Sequence, residues 1–391
     1  MKKCLALVMV VCLLLCGCVA EPEPTTVPTT QAPTTEPTTE PTTVPTTEPA
    51  PVYTNPLNGQ ILDEPYTGRL FASTISNVQA ALPHVGMQKA DIYMEMLVNG
   101  SIIRGLALYT NIADVPAIGS VRSTRLMFND IVEHYDAVLS HAGGSNQVLS
   151  DARARGIDNI NIDTWKKEIE EGAYSYRDNA RNRSNGWEHC LMGIGSGLVA
   201  HAQELGMVTS YEEPRDYGLV FAEDGTPDGE AADSISLTFT YGGTRKETIL
   251  VYDADMGKYV YNQYGKVMAD GVTGEPETFE NVIIMLANIT RDGMYHVADF
   301  VAGGEGFYAC NGKIIPITWT CDGEDQPFRF FTQDGQPLAM GVGNSYIGIA
   351  PVASPVVVTV AEPEVIETTE VAEVTETIET TESIETTETQ P

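Results

Sequence analysis

The apolar positions along this chain follow two different rhythms. Between residues 56 and 210, strand-like runs alternate with helix-like ones. "DIYMEMLV" and "IRGLALYT" predict adjoining strands, whereas "STRLMFNDIVEHYD" sets Met127, Ile131, Val132 and Tyr135 at helical spacing. "AVLSH" then predicts a strand, "NQVLSDARARG" a short helix, "IDNINI" a strand and "GLVAHAQELG" a helix. Strands interleaved with helices define an α/β layer. Past Asp216 the runs shorten: "SISLTFTY", "TILVYD", "KYVYNQ", "NVIIMLANI", "MYHVADFVA", "GFYAC", "KIIPITW" and "FRFFT" are parted by Gly, Asp and Asn turns. The expected fold class is an α/β N-terminal domain, residues 56–214, followed by a mostly antiparallel β (α+β) C-terminal domain, residues 215–354. "EEPRDYG" marks the expected joint. Together they span about 300 residues, more than one core usually covers.

Both ends break the pattern. Lys2 and Lys3, an apolar run from Leu5 to Leu15 and Gly17 before Cys18 read as a secretory signal peptide, residues 1–18. The run is too short for the roughly 20 residues a bilayer crossing needs. Leu15-Cys16-Gly17-Cys18 has the form of a lipobox, which makes Cys18 the expected lipid attachment point and the extracytoplasmic face of the cell membrane the expected location. Residues 19–55 repeat Pro-Thr-Thr units that contain little to build a core, so they are expected to stay extended and disordered. At ~3.1 Å per residue such a spacer reaches on the order of 100 Å. From residue 355 a second biased segment follows, with Glu at every third position between Glu364 and Glu388. Period three does not keep to one helix face, and repelling carboxylates oppose compaction, so a disordered acidic tail is expected.

Charge narrows the function classes. The chain carries a formal net charge of −32. Residues 56–210 hold 12 basic and 17 acidic side chains, and residues 211–354 hold 8 and 22. That balance argues against nucleic acid and against anionic lipid surfaces as partners. The expected partners are the membrane, through the N-terminal lipid, and a cell-wall component or exported protein. Cysteine adds little. The folded region has Cys190, Cys310 and Cys321, an odd number. Asn311-Gly312 predicts a tight hairpin turn that leaves Cys310 beside the turn and Cys321 far along the return strand, too distant for a disulfide.

Against this acidity, nine of the thirteen arginines between residues 56 and 354 lie in the first half. With Ser123 as the expected helix cap, Arg122 and Arg125 fall at the first turn of "STRLMFNDIVEHYD", where the helix dipole already disfavours cations. Next, "SHAGGS" follows a strand and precedes a helix. There Gly143 and Gly144 allow close approach of a ligand, and Ser145 is expected to cap the helix that follows. Arg104, on the "IRGLALY" strand, and Arg177 and Arg181, in "YRDNAR", complete a candidate pocket for phosphate or carboxylate, with His141 at its edge. The competing reading pairs these arginines internally with Asp91, Glu95, Asp130 or Asp178.

Other chemistry is poorly signalled. There is no Walker loop, no G-x-G-x-x-G and no H-E-x-x-H, so no cofactor or metal is expected. Gly193 to Gly197, "GIGSG", lacks the nucleophile-elbow spacing and reads as a helix approach. His189-Cys190 alone cannot close a metal site. Asp253 with Asp255, and Asp270 with Glu275, fit turns better than calcium loops.

The ordered set "KADIYMEMLVNGSIIRGLALY", "IGSVRSTR", "HAGGS", "YRDNAR", "YDADMGKYVYNQYGK", "DGVTGEPETFENV", "GGEGFYACNGKIIPITW" and "GVGNSYIGIAP" resembles the YerB-like bacterial lipoproteins, which carry a two-part domain of unknown function. The resemblance covers nearly all of residues 56–351 and implies an exported, lipid-anchored protein without an agreed enzymatic activity. It departs from the family pattern at Arg183-Ser184-Asn185 and at Tyr261. The leading functional expectation is a non-enzymatic envelope lipoprotein that binds an anionic ligand through its arginines. The alternative is a hydrolase or transferase of wall glycan or phosphodiester, with His141 and Asp91 or Glu95 moving protons.

Overall fold

The computed structural model describes residues 51–163 and 173–360. The expected signal peptide with Cys18, nearly all of the Pro/Thr spacer and the tail beyond residue 360 lie outside the described residues.

The first half contains β1 (Phe71–Ser76), β2 (Ile92–Asn99), β3 (Ile102–Tyr109), α1 (Leu126–His134), β4 (Val138–His141), α2 (Asn146–Ala154), β5 (Asn159–Asn161), α3 (Asn179–Asn185) and α4 (Gly195–Glu204). The second is built of strands: β6 (Ser234–Tyr241), β7 (Thr244–Asp253), β8 (Lys258–Gln263), β9 (Asn281–Ala287), β10 (Ile289–Asp292), β11 (Tyr295–Ala298), β12 (Gly304–Cys310), β13 (Lys313–Thr320), β14 (Ser345–Pro351) and β15 (Val356–Thr359). An α/β half followed by a mostly antiparallel β half is the arrangement the hydrophobic rhythm predicts.

The halves differ in grammar but share one sheet. Its order runs β13-β12-β9-β14-β2-β3-β1-β4-β5, so strands of the second half continue directly into strands of the first. The junction is β14, which lies parallel to β9 on one side and to β2 on the other, with Tyr346 opposite both Val282 and Tyr93. A six-stranded sheet that includes β8-β7-β6-β15 forms the second layer.

Strand β2 is buried on both faces, which accounts for its nearly unbroken apolar run. Met94, Met96 and Val98 join Phe128 and Ile131 of α1 in one core. Tyr93 and Leu97 point the other way and join Leu237, Phe239 and Tyr261 of the second sheet. Glu95 shares that inner face and is 0 % exposed. It accepts hydrogen bonds from Lys246 Nζ of β7, from Thr248 Oγ1 at 2.7 Å, from the Tyr346 hydroxyl at 2.7 Å and from Asn77 Nδ2 at 2.6 Å. Asn77 Oδ1 in turn meets His84 Nε2 at 3.2 Å, and His84 Nδ1 meets Glu277 at 3.0 Å. Burial pushes the Lys246 ammonium below its ordinary pKa. A charged pair with its hydrogen-bonding escort therefore joins the two layers.

Several boundaries differ from expectation. Helix α1 starts at Leu126, and its N-cap position is held by Arg125 in extended conformation with no side-chain cap. Ser123 is not the cap, because it lies three residues before Leu126, and its carbonyl is occupied by arginines described below. Tyr53–Thr54 pairs with Ile61–Leu62, so the last residues of the expected spacer form a strand. Likewise β15 pairs with β6 within the expected tail, because its valines complete the second sheet. "NVIIMLANI" splits into β9 and the start of β10. Helix α3, which sequence periodicity did not flag, is capped by Asp178, whose Oδ1 accepts from Ala180 and Arg181 N–H.

The hairpin of β12 and β13 turns at Asn311 and Gly312, both with positive φ, and Cys190, Cys310 and Cys321 are free. "GIGSG" leads into α4. A Cβ on Gly195 would fall 1.7 Å from Ile112 O and one on Gly197 would fall 1.9 Å from Ala173 O, so the helix packs directly on backbone there. Asp253 and Asp270 each accept two following backbone N–H groups, the turn role expected of them.

One buried pair escaped the sequence reading. His134 Nδ1 lies 3.4 Å from Cys321 Sγ, beneath a cavity of about 310 Å³ lined by Asp130, Asp151, Arg155 and Asp299. Burial, with Arg155 nearby, lowers His134 to about 4, and burial raises the Cys321 thiol, so both are neutral. Because the unfolded imidazole titrates near 6.5, the unfolded chain binds the extra proton between pH 6.5 and about 4, and His134 costs stability as pH falls through that window. Asp130, raised to about 6 mainly by burial, acts in the opposite sense over part of the same range. His134→Gln should therefore gain on the order of 3 kcal/mol relative to the parent between pH 7 and pH 4, read from urea unfolding at each pH. Parallel pH profiles would refute this assignment.

Candidate anion site

The five candidate arginines separate into two groups. Arg104 on β3 and Arg125 at the start of α1 meet at one atom: their Nη1 groups donate to Ser123 O at 2.6 Å and 3.2 Å. Arg125 also donates to Thr124 O at 2.7 Å and, through Nε, to Asn99 Oδ1 at 2.9 Å, and it lies over the Tyr295 ring. Arg122 stands close enough to lower the basicity of both. Burial first, then the charges of Arg125 and Arg122, hold the Arg104 guanidinium well below its usual value.

No carboxylate among the described residues pairs with Arg104 or Arg125. Arg104 is nevertheless only 4 % exposed. The acids that the competing reading enlisted are engaged elsewhere. Asp91 accepts from Asn55, Asn58 and Thr110, Glu95 holds Lys246, Asp130 pairs with Arg155 at 2.5 Å, and Asp178 caps α3. Arg122 alone has an acid, Glu188, at 3.2 Å, and that acid is 71 % exposed.

The second group serves a turn. Arg177 Nη1, Arg122 Nη1 and Arg181 Nε donate to the successive carbonyls of Trp187, Glu188 and His189 at 2.9, 2.7 and 3.2 Å. Those carbonyls end a short 3₁₀ turn, where orphan acceptors attract cations. Arg177 further pairs with Asp163 at 2.8 Å and stacks 3.9 Å from the Trp187 ring, and Arg181 reaches Ala81 O and Pro83 O. Arg177 and Arg181 thus clamp backbone, while Arg122 touches both groups.

The "SHAGGS" loop runs beside the arginines. Thr124 N donates to Gly143 O at 3.0 Å and Ala142 N to Arg122 O at 2.9 Å, which lays residues 142–145 against residues 122–125. Gly143 has φ +71°, and a Cβ on Gly144 would come within 3.4 Å of Thr124. Ser145 caps α2, accepting from Val148 N at 3.3 Å. The segments that lead into α1 and α2 therefore lie side by side.

His141 is 1 % exposed, with Nδ1 against Gly143 O at 2.9 Å and Nε2 against Asn159 Oδ1 at 3.0 Å. Burial lowers its pKa. It braces the loop from beneath and stands apart from Glu95, which faces the second sheet. Asn99 and Tyr295 were missed by sequence reasoning. Nothing local links Arg125 to the β10–β11 hairpin, whose Tyr295 pairs with Asn99 across strands. Chemically, the arrangement offers one buried and one half-buried guanidinium beside two helix starts to a phosphate or carboxylate.

The chain belongs to the DUF3048 family: the model described as "Protein of unknown function (DUF3048) N-terminal domain" matches residues 57–206, and the corresponding C-terminal domain matches residues 237–347. This is the YerB-like family that the ordered motifs resemble. Among curated proteins the chain is similar to "Putative lipoprotein YerB" of Bacillus subtilis (strain 168), 26% identical over 317 residues, which covers 76% of this chain and 86% of that protein. The crystal structure of YerB from Bacillus subtilis matches with a TM-score of 0.66 at 22% identity, over 78% of this chain and 99% of that one, a likeness of fold.

Proposed function

We infer that this protein is a lipid-anchored, extracytoplasmic binding protein whose arginine cluster captures an anionic group of the envelope, phosphate or carboxylate, at the paired starts of α1 and α2. The observation that carries this reading is Arg104, a nearly buried cation beside two others without a carboxylate of its own. Leaving such charge uncompensated costs folding energy unless a ligand supplies the counter-charge. The reading takes its location from the lipobox at Cys18 and from the lipoprotein name of the Bacillus subtilis relative.

Two measurements test it. Cys18→Ala should release the protein from membranes into the medium, and retention would refute the anchor. Inorganic phosphate at about 50 mM should raise the melting temperature of the parent at constant ionic strength, because binding to the folded state stabilises it by RT ln(1 + [L]/Kd). Arg125→Ala should abolish that rise. An equal rise in the variant, or none in the parent, would sink the proposal.

A further inference from the structure

A second cleft, separate from the arginines, lies at the seam of the two halves. The residues immediately before three neighbouring parallel strands line it: Asp91 before β2, Asn344 before β14 and Glu280 before β9. Its volume is about 370 Å³.

The lining is amide-rich. Asn55, Asn58, Gln60, Gln88 and Asn111 join Asn344 there, and Ala90 supplies the one hydrophobic side chain. Much of the wall is held in place by its own hydrogen bonds. Asp91, 8 % exposed, accepts from Asn58 Nδ2 at 2.5 Å, from Asn55 Nδ2 at 3.3 Å and from Thr110 N at 2.6 Å and Oγ1 at 2.9 Å. Gln88 exchanges bonds with Thr278, and Asn344 Nδ2 donates to Thr278 O at 2.9 Å. Lys258 pairs with Glu280 at 2.6 Å. Among the described residues, the lining groups left uncommitted include the Gln60 carboxamide, the Lys89 ammonium, Asn344 Oδ1 and Asn111 Oδ1, the Asn111 amide nitrogen being spent on Asp114.

From this we propose that the cleft binds a neutral, N-acylated oligosaccharide. Charge points that way: Lys89 and Lys258 balance Asp91 and Glu280 in a chain whose net charge is −32. An anionic ligand would meet no excess of cations here. A peptide strand would find no apolar pockets for its alternate side chains. Carboxamides present a donor and an acceptor side by side, which suits paired hydroxyls and the acylamino group of a sugar. Preformed amides also limit the ordering cost of binding. With no aromatic platform in the lining, affinity is expected to be modest, with a Kd of about 1 mM.

Saturation-transfer NMR on the full chain with chitotetraose, the β-1,4-linked tetramer of N-acetylglucosamine, tests this. The parent should give a saturable signal, and Gln60→Ala/Asn111→Ala, which changes two exposed side chains, should weaken binding about tenfold while keeping the parental melting temperature. Arg125→Ala should bind chitotetraose as the parent does, so failure of the anion site and failure of this cleft are told apart. No signal up to about 20 mM sugar, an unchanged affinity in the double variant, or loss in Arg125→Ala would overturn the proposal.

Discussion

Glu95→Ala should destabilise the protein by about 3–5 kcal/mol, the cost typical of removing one member of a buried ion pair. The loss arises from what stays behind. Lys246 remains between the sheets, 7 % exposed, and Thr248, Tyr346 and Asn77 lose their acceptor together. Glu95→Leu combined with Lys246→Met removes both charges while retaining most of the volume, and should recover at least about 2 kcal/mol of that loss. Recovery stays partial because the Thr248 and Tyr346 hydroxyls still need partners. Urea unfolding at neutral pH reads both numbers. A single variant within about 1 kcal/mol of the parent, or a double variant no better than the single, would show that the pair does not join the layers as described.

Arg104→Met should do the reverse: hold or raise stability, by about 1 kcal/mol, while eliminating the response to phosphate. Two like charges whose nitrogens share one carbonyl oxygen repel, and neither has an acid to offset the burial. Ser123 O keeps its bond from Arg125 after the change, so no buried acceptor is orphaned. An arginine retained against its own folding cost fits a group kept for binding. A thermal melt with and without phosphate separates the readings. A fall of several degrees without phosphate would mark Arg104 as a structural strut and remove the main support for the anion site.

Local pattern revealed most elements, and its failures share one cause. The double burial of β2 reads directly from "IYMEMLV", and the spacing of Met127, Ile131 and Val132 places α1. Glu95 in the middle of that strand looked like a proton-transfer candidate because its counter-charge, Lys246, lies 151 positions later. In the same way the grouping of Arg104 with Arg125 follows from a strand meeting a helix start, while the diversion of Arg177 and Arg181 depends on two carbonyls of a turn that carries no periodic signal. Ser123 misled because a cap residue is recognised by type, whereas the helix start was decided by tertiary bonds to its carbonyl. The seam cleft was illegible for a stronger reason: its wall joins the residues before three strands, brought together by pairing, with Asn55, Asn58 and Gln60 and with Thr110 and Asn111.

That pairing bears on how the polypeptide folds as it is made. With β14 wedged between β2 and β9, a chain made amino-terminus first cannot seal its central layer until about residue 351 is available. Until then the flanks of β2 and β9 that will grip it are unzipped and adhesive, and closing a loop from Tyr93 to Tyr346 is intrinsically slow. Stopping the chain short of its last fifty residues would therefore spoil the amino-terminal half as surely as the carboxy-terminal one, because β2 would lose its β14 neighbour.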